Sequence, residues 1–128
     1  MKVCLFIDKV DDKGYKREIK NIKEQFKDIK PSYREYNYLM EEMLRERFDL
    51  MVVDYGGIST GIGNALNETY EREVRKYATE HPNCLVLFVS VMGSSFLVNE
   101  IEENEVNVKV SDNEAIRFHW DKWNKNGG

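Results

Sequence analysis

An aspartate closes the apolar run Leu50-Met51-Val52-Val53-Asp54, and the stretch after it, Gly56-Gly57-Ile58-Ser59-Thr60-Gly61-Ile62-Gly63, is rich in glycine before a helical pattern begins at Asn64. A carboxylate at the end of a buried strand is costly to desolvate unless it is paired or bound to a cation. A glycine loop that opens a helix offers backbone N–H groups to an anion. Together these residues outline a site for a cation or a phosphate-bearing ligand, with Ser59, Thr60, Gly61 and Gly63 lending N–H and hydroxyl donors to the phosphate oxygens. The same residues also fit a plainer role, in which Asp54 caps nearby backbone N–H groups and the glycines serve a turn.

The elements that must position these residues are legible from periodicity. Val3-Cys4-Leu5-Phe6-Ile7 is a continuous apolar run ending at Asp8, the pattern of a strand covered on both faces. Tyr15, Ile19, Ile22, Phe26 and Ile29 recur at helical spacing up to Pro31. Residues 32–36 form a more polar strand suited to a sheet edge, and Leu39, Met40, Met43 and Leu44 mark a second helix. Leu50–Asp54 is the third strand, and Leu66, Tyr70, Val74 and Tyr77 predict a long helix up to Glu80 that His81-Pro82-Asn83 stops. Cys84–Val89 is the fourth strand and the most apolar segment. A short helix is predicted over residues 96–104, and Val106, Val108 and Val110 alternate as a half-covered fifth strand. Ser111 and Glu114 stand at capping-box spacing before a last helix carrying Ile116, Trp120 and Trp123 on one side.

Strands alternating with helices predict a single α/β domain over residues 1–128: a three-layer sandwich with a five-stranded, mainly parallel sheet and helices on both faces. With the weakest strands at the edges, the order 2-1-3-4-5 follows, the flavodoxin-like arrangement. Ligands of such sheets sit beyond the carboxyl ends of the strands where the winding reverses, here between the first and third strands. That rule converges on Asp8 with the loop after it, and on Asp54 with its glycine loop.

Ile7-Asp8 with Asp11 and Asp12 beyond, Val53-Asp54, Val89-Ser90, and Lys109 in the fifth strand resemble the bacterial response-regulator receiver domain over nearly the whole chain. The resemblance implies that Asp8, with Asp11 or Asp12, joins Asp54 in binding Mg2+. It implies further that Asp54 accepts a phosphoryl group, that Ser90 contacts the phosphate and that Lys109 pairs with it. Clustered carboxylates repel unless a divalent cation neutralises them, and the cation then offsets charge during transfer. The chain departs from the family pattern at three points: Asp8-Lys9 replaces an adjacent acidic pair, no Met-Pro follows Asp54, and no proline follows Lys109. It therefore reads as a divergent or degenerate relative, a stand-alone receiver-like signalling domain whose output passes through its surface to another protein.

Two other readings use different residues. Gly57-x3-Gly61-x-Gly63 has the glycine spacing of short-chain dehydrogenases, but Tyr70 is followed at the fourth position by Val74 where that family has a lysine, which rejects dehydrogenase activity. What survives is a small nucleotide- or phosphometabolite-binding protein using Gly56–Gly63. Alternatively the fold serves as a pure interaction module, with Trp120 and Trp123 of the last helix facing a partner protein or forming a homodimer. Helical spacing makes core packing the simpler role for both tryptophans. His81-x2-Cys84 is half a metal site with no second half nearby, and His119 reads as a packing or surface residue. No Cys-x5-Arg phosphate loop occurs in the chain.

Composition sets the outer limits. At 128 residues and 41% hydrophobic content the chain can build one core. Residues 1–47 carry 12 Lys or Arg against 10 Asp or Glu, and residues 48–128 carry 7 against 13, which opposes a dedicated nucleic-acid binder. Lys16, Lys20, Lys23, Lys27 and Lys30 are interrupted by Glu18, Glu24 and Asp28 and read as a solvated helix edge. No apolar run approaches the ~18 residues needed to span a bilayer, so a cytoplasmic protein without a membrane role is expected. Cys4 and Cys84, inside strands, are expected to pack as free thiols.

Overall fold

Five strands make one parallel sheet: β1 (Lys2–Phe6), β2 (Ser32–Tyr36), β3 (Leu50–Asp54), β4 (Leu85–Val89) and β5 (Val108–Val110), in the order β2-β1-β3-β4-β5. They belong to a computed structural model that describes residues 1–7, 13–36, 40–54, 64–90, 103 and 105–126. Every neighbouring pair is parallel, so the flavodoxin-like order expected from the sequence is the observed one. Parallel neighbours need crossovers, supplied by α1 (Lys13–Glu24), α2 (Met40–Met43) and α3 (Asn64–Glu80). The last helix, α4 (Ile116–Lys125), returns along the sheet.

Side-chain alternation along the strands sorts the core into two layers. Val3, Leu5, Val52, Leu85 and Leu87 meet Ile19 and Ile22 of α1, Phe26 just beyond it, and Ile116 and Trp120 of α4. On the opposite face Cys4, Phe6, Met51, Val53, Val86 and Phe88 meet Met43 of α2 and Val74, Tyr77 and Ala78 of α3. All residues of β3 and β4 are buried, which is why those segments read as unbroken apolar runs. Burying a side chain such as Ile22 or Phe26 contributes about 1.5–3 kcal/mol each. The free thiols of Cys4 and Cys84 pack in the α2–α3 layer as expected. Among the described residues no helix is long and apolar enough to cross a membrane.

Four local expectations meet a correction or fall outside the described residues. The helical period of α1 was expected to bury Ile29, but the chain tightens to i→i−3 bonds after Glu24 (Phe26 N–H to Lys23, Ile29 N–H to Phe26), which rotates Ile29 off the stripe to 37% exposure. Lys30 then takes a left-handed φ of 53°, its N–H bonded to the Phe26 carbonyl, and closes the turns that follow α1 before Pro31. Val106 does not join β5: the Val108 N–H turns back to the Glu105 carbonyl, leaving Val106 77% exposed. The expected capping box is not formed, because a 3₁₀ turn over Asn113–Ala115 precedes α4 and the Ser111 hydroxyl donates to the Asp112 carbonyl instead. The helix expected over 96–104 lies outside the described residues apart from Glu103.

Candidate functional site

Strand register decides which chain ends share a rim. Phe6 lies opposite Val53 and Asp54 opposite Val89, so Ile7, Asp54 and Ser90 leave the sheet from the same carboxyl edge. That edge includes the switch point, because β1 and β3 are neighbours while their crossovers wind to opposite sides. Asp54, central in the sheet, is 1% exposed. Alternation gives it the parity of Leu50 and Val52, toward the α1–α4 layer. Ser90 follows β4 directly and is half-buried. The predicted Asp8, Asp11 and Asp12, and the donors Ser59, Thr60, Gly61 and Gly63, lie outside the described residues. Among the described residues no three His, Cys, Asp or Glu side chains gather as metal ligands.

Lys109 sits elsewhere along the strands. It pairs with Leu87, two positions short of Val89 and hence about 7 Å back from the level of Asp54. Its ammonium lies 4.0 Å from the Glu103 carboxylate, with both side chains open to solvent. Lys109 also lines a cleft of about 620 Å3, together with Leu85, Glu103, Val106, His119, Lys122, Trp123 and Asn126. This cleft runs beside β5 under the carboxyl half of α4. Burial, together with Lys122 and Lys109, holds the His119 imidazole below its ordinary value against the opposing pull of Glu103, so it is neutral at neutral pH.

The half metal site at His81 and Cys84 has a structural use. The His81 ring stacks on Tyr77 with centroids 4.0 Å apart, and its Nδ1 sits 2.9 Å from the Tyr77 carbonyl oxygen. Burial, aided by Asp49, pushes the Cys84 thiol up to about 12, far from the thiolate a metal needs. Asn107, 3% exposed, is the polar residue that sequence reading missed. Its amide nitrogen donates to the carbonyls of Ala78, His81 and Cys84 at 2.9, 3.2 and 2.8 Å, holding β5 against the end of α3 and the turn into β4. On the other face Arg117 of α4 reaches the Asp28 carboxylate at 2.7 and 3.1 Å and the Gln25 carbonyl at 2.8 Å, fixing α4 against the end of α1. No family model, curated protein or solved structure matches this chain.

Proposed function

We propose that this chain is a receiver-like signalling domain that takes Mg2+ and a phosphoryl group at the carboxyl rim of its sheet, with Asp54 as the acceptor. The reading is carried by one observation: a carboxylate only 1% exposed ends the central strand of a doubly wound parallel sheet, beside the switch point. A carboxylate oxygen is a hard donor suited to Mg2+, and Asp8 with Asp11 or Asp12 would complete the ligand set. Bound there, the cation supplies positive charge that draws carboxylate and phosphoryl oxygens together. In the step itself an Asp54 oxygen forms the new bond to phosphorus, the donor's bond to phosphorus breaks, and the leaving group keeps the electron pair. Ser90, just past the end of the neighbouring strand β4 on the same rim, is the hydroxyl suited to a phosphoryl oxygen. For Lys109 to pair with that group, its ammonium must exchange Glu103 for the phosphate, an inexpensive exchange for an exposed pair. The altered rim is then read by another protein or a second copy.

Magnesium followed by beryllofluoride, a stable stand-in for a phosphoryl group, tests the reading by amide chemical shifts on the full chain. Shifts at Ile7, Asp54 and Ser90 that vanish in Asp54→Asn are expected. An unresponsive spectrum, or an identical response in the variant, would overturn the assignment of Asp54.

A further inference from the structure

The cleft under α4 is distinct from the rim, because it reaches Leu85, four positions before Val89 and so about 13 Å along β4 from the level of Asp54. Its volume of about 620 Å3 lies within the range of small-molecule sites, roughly 300–1,000 Å3. Three kinds of surface meet in it. Leu85, 1% exposed, gives an apolar floor that the Trp123 indole and Val106 extend. Lys109 and Lys122 contribute two ammonium groups, both near enough to His119 to disfavour its protonation. The imidazole of His119 and the amide of Asn126 add hydrogen-bonding groups.

Charge selects the ligand's sign. Among the described lining residues Glu103 is the one carboxylate against two lysines, with Asp112 near enough to act on His119. The 4.0 Å contact of Glu103 with Lys109 joins side chains 40% and 45% exposed, a weak pair that an incoming anion can replace. The result is a cationic recess on a chain of net charge -4. An indole beside ammonium groups suits a flat ring that stacks and an attached anion that takes the charge. We propose that this cleft binds a planar aromatic ring bearing a phosphate or carboxylate, with the ring on Trp123 and the anion on Lys109 and Lys122. This goes beyond the rim reading: it uses neither Asp54 nor a metal, and the one residue it shares with the rim is Lys109, whose ammonium serves one anion at a time.

The test is run on the full chain in EDTA, where a magnesium-dependent rim is silent, by following the Trp123 indole N–H signal. AMP and salicylate carry both ring and anion, whereas adenosine and inorganic phosphate each carry one part. At least one of the first two is expected to bind with a Kd of about 1 mM or tighter, and adenosine and phosphate at least about tenfold more weakly. Binding by AMP alone identifies a phosphate ligand, and by salicylate alone a carboxylate; either supports the proposal. Lys122→Glu, on an exposed helix position, is expected to weaken binding at least about tenfold with unchanged far-ultraviolet dichroism; if that chain does not fold, Lys122→Gln replaces it. The proposal fails if neither ring anion moves Trp123 up to about 10 mM, if adenosine binds as well as AMP, or if a folded Lys122 variant binds like the parent.

Discussion

Replacing Asn107 with alanine removes one NH2 group whose two hydrogens serve the buried carbonyls of Ala78 and Cys84 and, more weakly, the part-buried carbonyl of His81. The loss is unequal: the Ala78 and His81 carbonyls keep the His81 and Cys84 N–H groups at 3.3 and 3.0 Å, so the Cys84 carbonyl, 2.8 Å from the amide, is hit hardest. A lost neutral hydrogen bond costs about 1 kcal/mol and a stranded buried acceptor about 1–3 kcal/mol, so Asn107→Ala is expected to cost about 2–3 kcal/mol. For a chain of this size that corresponds to a fall in Tm of about 8–12 °C. Asn107→Asp is expected to cost more, since an oxygen then faces three carbonyl oxygens and the side chain has no amide to donate. Urea unfolding followed by tryptophan fluorescence measures both, with an unchanged m value showing that the unfolded state is unaffected. A loss below about 0.5 kcal/mol for Asn107→Ala, or an Asn107→Asp chain as stable as the parent, would refute the role given to this amide.

Tyr77 links α3 to the chain entering β3, its hydroxyl accepting from the Phe48 N–H at 3.2 Å and donating to the Glu46 carbonyl at 2.8 Å. Tyr77→Phe is expected to cost about 1–2 kcal/mol in the same urea assay. The Cys84 thiol, raised by burial from 9.0 to about 12, contributes stability that is full below pH 9 and fades as the pH rises toward 12. Cys84→Ala is expected to flatten that alkaline loss, and both native thiols should resist a thiol reagent until the chain opens. The Arg117 guanidinium holds the Asp28 carboxyl below its usual 3.8, so this contribution is present above that pH and is lost as the pH falls through the lower folded value. Asp28→Asn is expected to reduce the acid dependence of Tm, and Arg117→Ala to lower Tm more than Arg117→Lys, because the lysine cannot fork onto both Asp28 oxygens.

What the chain disclosed on paper tracks how local each cause is. Leu50–Asp54 and Leu85–Val89 are buried on both faces, so their unbroken apolar runs announced them, and the polar Ser-Tyr-Arg-Glu-Tyr run of β2 declared an edge. The sheet order then followed from which strands were most apolar. Ile29 and Val106 misled because each extends a period beyond its element, Ile29 after the backbone has tightened past α1 and Val106 in the turn before β5 begins. Ser111 and Glu114 have capping-box spacing, but an intervening 3₁₀ turn spends that spacing. Asn107 was invisible for a different reason: its three acceptors stand 29, 26 and 23 residues away, beyond the reach of any local pattern. The cleft under α4 is similar, since Leu85, Lys109 and Trp123 meet only through packing. Of the rim, Asp54 at a strand end was legible, and the register that sets Ser90 beside it required the fold.

Manganese in place of magnesium tests the rim most directly, because its paramagnetism broadens amide signals near the bound ion and spares distant ones. Five-residue strands separate the two edges of this sheet by about 13 Å along the strand direction. The account calls for broadening at Ile7, Asp54 and Ser90 at low manganese while Lys2, Leu50 and Leu85 stay sharp, and for its loss in Asp54→Asn. Broadening centred on Lys2, Leu50 and Leu85, or none at all, would contradict a cation site at the carboxyl rim.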